Sequence, residues 1–240
     1  MIEGLTKIGL NTIPIFVTSL KDAVAAAAIE TFMIQAKPSI ILNATGFAFS
    51  SPGQNRIPSP FDQISDSDDS PPVLQVIFSG GNFKDWRENS NGLSARDIAM
   101  NVALPEVDGR VLTRAVSFKG LAHRDPFTEF DVVRYEPVPD RISFVAKLAK
   151  AWVTLGQTPE KKRHIALVLA NYPNRDARLG NGVGLDTPAG IIQVLTALRD
   201  SGYHISGIPK KGDELIKRVL AGPTNNFDDL NSRTISETIS

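Results

Sequence analysis

Two carboxylates stand two residues apart in "ALPEVDGR", residues 103–110: Glu106 and Asp108, with Arg110 next but one. A carboxylate in an apolar rim has its pKa raised and can take a proton near neutral pH, or hold a divalent ion as a hard oxygen ligand. Pro105 fixes the exit from a helix expected to stop before it and Gly109 frees the next turn, so Glu106 is expected on a defined loop edge. The alternative is a charge paired with Arg110 or Arg114 at a strand entrance. The residue types alone leave both readings open.

A second candidate is "GNGVG", residues 180–184, with Arg175 and Arg178 just before it and a helix expected from Pro188. Glycine-lined loops and helix N-termini offer free amides to anions, so this stretch is either an anion-binding loop or a structural loop rich in left-handed residues. It is not a dinucleotide fingerprint: the glycines are spaced G-x-G-x-G and stand eight residues after the preceding strand, not in the tight turn itself. No glycine is followed by GK[ST] at P-loop spacing, and no G-x-S-x-G nucleophile motif occurs. The three histidines, His123, His164 and His204, share no metal-ligand spacing. His164 and His204 read as structural; His123, in the loop after Lys119, is the one candidate for a ligand or proton carrier near the acidic stretch.

The elements that must position these residues alternate between short β-rich runs and helical stretches. Strands are expected at 12–20, 38–48, 72–80, 110–119, 163–173 and around 203–209, and helices at 21–36, 94–104, 139–156, 188–201 and 213–222. The segment 50–72, rich in Ser, Pro and Asp, reads as a long loop. The alternation predicts an α/β protein with mostly parallel sheets, in two Rossmann-like, doubly wound halves. Residues 1–138 form the first half, with the acidic motif. Residues 139–222 form the second, joined by a crossover helix at 139–156, and 223–240 is a polar tail.

Composition narrows the class. The 240 residues carry 26 basic and 26 acidic side chains, a balance that argues against nucleic acid as the main partner. There is no cysteine, which excludes disulfides, thiolate metal sites and thiol catalysis and fits a reducing compartment. No apolar run reaches the ~18–20 residues of a membrane span, and no signal peptide is visible. The expectation is a cytoplasmic protein with no membrane partner.

Three blocks together carry a resemblance to a known family: "IILNATGFA", "QVIFSGGNFKDWRENSNGLSARDIAMNVALPEVDGRVLTRAVSFK" and "NYPNRDARLGNGVGLDTPAGIIQVLTALRDSGY". In this order they resemble the large subunit of aerobic cobaltochelatase (CobN), a family related to the H-type large chain of magnesium chelatase. The resemblance runs from about residue 12 to 222. It implies a macrocycle-binding, metal-inserting subunit, with Co2+ as substrate and hydrogenobyrinic acid a,c-diamide as the corrinoid acceptor on the route to cobalamin. It also implies separate AAA+ subunits that bind ATP and Mg2+, in keeping with the missing P-loop. Family subunits are several times longer, so this chain resembles a portion of one that is inactive alone. Carried onto this sequence, Glu106 removes pyrrolic protons and hands over the metal, with Asp108 orienting it and His123 as a further metal ligand. Arg110, Arg114, Lys119, Arg175, Arg178 and the amides of Gly180, Gly182 and Gly184 pair with the macrocycle's carboxylates. Alternatives are a non-catalytic tetrapyrrole-binding or subunit-docking domain, or a magnesium-chelatase H-type chain.

Overall fold

A computed structural model of the chain describes residues 1–50, 59–61, 70–170, 179–224 and 233. The chain divides into two compact units, 1–157 and 158–240. The join falls after the helix at 139–157 and not before it, because that helix packs its apolar face on the first unit's sheet.

The first unit is built on a four-stranded sheet of order β1-β2-β3-β4. Strands β1 (Ile41–Asn43), β2 (Val73–Ser79) and β3 (Val111–Arg124) run parallel. Strand β4 (Asp131–Pro137) returns antiparallel along the outer part of β3 as a hairpin. Strand β2 is buried on both faces, as parallel strands are: Leu74, Val76, Ile77 and Ser79 are at most 2% exposed. A bulge between Ile77 and Phe78 shifts its register against β3, so Ile77 pairs with Ala115 and Phe78 with Ser117. The sequence signals missed β4, because "DVVRYEP" has exposed residues on both sides and no apolar alternation.

Helices α1 (Ile2–Lys7) and α6 (Pro139–Gln157) cover one face of this sheet. Apolar residues of α6 recur at helical spacing, and Val145, Ala146 and Ala149 are at most 1% exposed against Leu74, Val76, Val116 and Leu5. A fully buried Val or Leu side chain contributes about 1.5–3 kcal/mol, an alanine methyl less. On the other face Ile77, Ala115 and Phe118 pack with Phe83 and Trp86 of α3 (Phe83–Glu88) and with Val102. Helix α2 (Ala23–Ala36) is capped by Asp22, whose carboxylate accepts from Ala25 N–H at 2.8 Å, and its Ile29 and Met33 pack on Ile41. Residues 12–20, expected as a strand, pair with no strand: Ile13 and Phe16 face solvent.

The segment 95–107 is helical throughout, which corrects the expected stop before Pro105. Helix α4 (Ala95–Ile98) passes into a π-helical turn (Ala99–Ala103) and then into α5 (Leu104–Val107), which includes Pro105. Proline has no N–H for the carbonyl four residues back and its ring crowds that carbonyl. Widening the turn before Pro105 relieves the clash: Leu104 N–H bonds to Ala99 C=O instead of to Met100 C=O.

In the second unit α7 (Thr187–Asp200) and α8 (Gly212–Ala221) follow the expected bounds within a residue. Among the described residues its two expected strands are not formed, and 171–173 of the first lie outside them. Residues 163–170 and 203–209 form no ladder among the described residues, with Gly207 at φ +63°, and an isolated bridge joins Gly182 to Leu185. Ile165, Leu167 and Val168 are 44–93% exposed: the β-type composition is there, but a strand exists only with a partner. The α/β class and the largely parallel sheet hold for the first unit; a second doubly wound half is absent from the described residues.

Candidate functional site

The site grows from three segments that meet on the α3 side of the sheet: the loop 44–50 after β1, the π-bulged helix 95–107, and the turn 108–110 that enters β3. Their meeting is organised by buried polar side chains. Asp108, 6% exposed, accepts hydrogen bonds from Phe49 N–H at 2.6 Å and Ser50 N–H at 2.9 Å, and pairs with Arg110 Nη2 at 2.9 Å. Arg110, 5% exposed, donates from Nη1 to Thr45 C=O and to Gln75 Oε1. The same Thr45 carbonyl accepts from Asn43 Nδ2 at 3.1 Å and Gln75 Nε2 at 3.0 Å. Burial pushes the Arg110 guanidinium below its ordinary range, and the Asp108 carboxylate opposes that shift. A charge pair this deep needs its remaining donors and acceptors satisfied. Among the described residues Arg110 Nε alone of this group's buried side-chain atoms finds no acceptor.

The helix holds the loop from the other side. Because the π turn diverts Leu104 N–H to Ala99, the Met100 carbonyl is released and accepts Phe47 N–H at 2.8 Å. Gly46 packs so tightly on this turn that a Cβ would lie 3.0 Å from Asn101 Oδ1 and 3.2 Å from the Met100 oxygen. Phe47 is left at φ +66°, a conformation that costs a non-glycine residue about 1–2 kcal/mol, with 57% of its surface exposed.

A second buried carboxylate ties the helix start to the end of β2. Asp97, 4% exposed, accepts from Ser79 Oγ at 2.8 Å, Gly80 N–H at 3.0 Å, Ser94 Oγ at 3.1 Å and Asn101 Nδ2 at 3.3 Å. Burial pushes its carboxyl up, but the bonds from Gly80, Ser79 and Ser94 outweigh it and leave the pKa below its ordinary value. Asp97 escaped the sequence reading, although "SARD" is a visible capping pair: Ser94 Oγ also accepts Asp97 N–H. Gln75 and Asn43 escaped too; a glutamine inside the apolar run "VLQVIF" was the signal.

The two carboxylates of the acidic motif therefore have different tasks. Asp108 is consumed by structure. Glu106 sits on α5, exposed, and among the described residues its carboxylate has no hydrogen-bond or ion-pair partner. It is neither on a loop edge nor in an apolar rim. The cleft beside it, about 500 Å³, is lined by Ser59, Phe61, residues 70–73 and residues 108–111, and Glu106 stands outside that lining.

The other expected site residues are dispersed. Arg110 is in the buried network. Arg114 stacks on Phe144, 3.4 Å from the ring centre, on the α6 side of the sheet. Lys119 lies nine residues beyond Arg110, but β3 carries two bulged residues against β2, so the advance along the strand is roughly 20–25 Å at about 3.3 Å per residue. There it stands 5.7 Å from the centre of the Tyr135 ring. His123 is farther out on the hairpin, on β3 and not in a loop, and exposed. Among the described residues no group of three or more His, Asp or Glu is placed to hold a metal ion. Gly180 and Gly184 adopt left-handed φ, +64° and +75°, in the loop before α7. The amide at that helix start is already taken: Asp186 accepts from Ala189 N–H at 3.1 Å. A carboxylate there opposes a second anion, and Gly182 lies beside Thr187. Arg175 and Arg178 lie outside the described residues. No helix among the described residues is long and apolar enough to cross a membrane.

Comparison with known proteins bears on all three site segments. The family model described as CobN/Magnesium Chelatase matches residues 1–239. An "Aerobic cobaltochelatase subunit CobN" from Sinorhizobium sp. is 49% identical over 94% of this chain, and one from Pseudomonas aeruginosa is 45% identical over 99%. The chain spans 17% and 18% of the lengths of these two relatives. The H-type chain of magnesium chelatase from Chlorobaculum parvum is 24% identical over 91% of this chain. The solved "Catalytic Subunit of Cobaltochelatase from Mycobacterium tuberculosis" superposes with a TM-score of 0.71 over 92% of this chain and 18% of that one, at 28% identity.

Proposed function

The chain belongs to the CobN/magnesium chelatase family, and on that premise we propose that it is part of the macrocycle-binding, metal-inserting subunit of a cobaltochelatase. The reaction places Co2+ in hydrogenobyrinic acid a,c-diamide, in cobalamin biosynthesis, while separate AAA+ subunits hydrolyse ATP. One observation carries the choice of metal branch: identity is 45–49% to cobaltochelatase subunits and 24% to a magnesium-chelatase H-type chain over comparable spans.

Metal insertion removes two pyrrolic protons and strips water from the ion. Glu106 is the carboxylate assigned to this step. It is ionisable, unpaired among the described residues and accessible, on a helix whose other end is fixed by Asp97 and whose exit is fixed by Asp108 and Arg110. Its carboxylate can accept a proton or carry the incoming ion. Asp108 acts through position: it holds the 45–50 loop against the helix. Arg114, against Phe144 on the α6 side of the sheet, and Lys119, beside Tyr135 on the hairpin, are assigned in this reading to contacts other than the ring edge over Glu106.

The test is reconstitution of the full-length subunit with its ATPase partners and ATP. Cobalt insertion into the metal-free diamide, with little magnesium insertion into a porphyrin, is the expected result; the reverse preference would move the protein to the magnesium branch. A second reading, a docking module for the ATPase ring, is favoured by the hairpin, where Phe127 is 95% and Phe130 76% exposed. It predicts that Phe127→Ser with Phe130→Ser abolishes capture of the ATPase subunits while macrocycle binding is unchanged.

A further inference from the structure

The loop 45–50 is held more firmly than a connection needs. Thr45 C=O accepts three side-chain donors, Thr45 N–H reaches Asn43 Oδ1, Phe47 N–H meets the Met100 carbonyl, and Phe49 and Ser50 N–H meet Asp108. All of these bonds would survive with glycine at position 47, and glycine would remove the penalty of a φ of +66°. The chain instead carries a phenylalanine there and leaves 57% of it in water. Among the described residues the ring belongs to none of the buried apolar clusters of the first unit, whereas Phe49 packs on one of them. An aromatic side chain held in a disfavoured backbone state, with little return to the fold, is explained by a contact outside it. The partner must offer a flat apolar face, since a rigid ring gains most by stacking.

We infer that Phe47 is a stacking contact for the macrocycle, presented by the π-bulge carbonyl of Met100 and by Asp108. This rests on the proposed chelatase reading and adds a residue that the acidic motif does not contain. Phe47 and Glu106 arise from opposite partners of one bonded assembly, the loop and the helix. A ring seated on Phe47 is thereby brought to the element that carries the acid. Phe47 takes no part in proton transfer; it fixes where the conjugated plane lies.

The test separates affinity from stability, because the two are expected to move in opposite directions. In the full-length subunit, metal-free hydrogenobyrinic acid a,c-diamide is titrated and followed by absorbance. Phe47→Gly is expected to weaken binding tenfold or more while its urea midpoint stays level or rises; Phe47→Tyr is expected to bind within about twofold of the parent. A structural role for the ring predicts a lower midpoint with Phe47→Gly and would overturn the inference, as would parental affinity in that variant. Parental affinity with loss of ATPase-subunit capture would reassign Phe47 to a protein contact. If the parent subunit itself gives no spectral response to the diamide, the chelatase reading fails together with this one.

Discussion

Asp108 and Glu106 are alike in charge and two residues apart, yet the fold uses them for opposite ends. Asp108 balances a buried guanidinium and two amides; removing its charge strands Arg110 in a place where an unpaired ion costs several kcal/mol. Asp108→Asn is therefore expected to lower the stability of the first unit by roughly 3–5 kcal/mol. Urea unfolding of this chain reads that change through Trp86 and Trp152, both in the first unit; a loss below about 1 kcal/mol would show that the pair carries little. Asp97 gives a pH-dependent counterpart. Its folded pKa is depressed, so its contribution is present above the unfolded value of about 3.9 and is lost as pH falls through the folded value. The stability gap between parent and Asp97→Asn should be constant from about pH 5 to 8 and close progressively below about pH 4. A gap that widens in acid would contradict the assignment.

At the scale of the element, the π turn is the feature on which the loop depends. Pro105 was legible as a helix breaker, but the sequence did not reveal that the helix would widen and pass through it. That outcome rests on a tertiary contact, Phe47 N–H on the released Met100 carbonyl. Pro105→Ala restores the missing donor and allows the ordinary four-residue pattern, which would reclaim Met100 C=O from the loop. The variant is expected to keep its overall stability within about 1 kcal/mol, since alanine is a good helix former. Hydrogen exchange at the Phe47 amide should nevertheless accelerate at least tenfold. Unchanged exchange there would mean that the Met100 carbonyl is not what protects the Phe47 amide. The same contrast explains the strands. Val73–Ser79 was readable because both faces are buried and the run is continuous; 163–170 has similar residue types, but its pairing depends on a partner that sequence periodicity cannot supply.

For the whole molecule, sequence patterns were enough to find most helices of both units, the parallel arrangement β1-β2-β3 and the acidic motif. They were not enough to rank the motif's residues, because burial decides between Asp108 and Glu106 and burial is a property of the assembled sheet. Nor could they measure reach: Arg110 and Lys119 are close in sequence and far apart on an extended strand. The family places these residues in relatives more than five times longer, so insertion is a property to be measured on the full-length subunit.

The most direct measurement is cobalt insertion by the full-length Glu106→Gln variant, with ATPase partners, ATP, Co2+ and the metal-free diamide. Glutamine keeps the size and polarity of an exposed side chain, so folding and macrocycle affinity should match the parent while the insertion rate falls at least a hundredfold. A Glu106→Gln variant that inserts cobalt at the parental rate would remove this carboxylate from the chemistry.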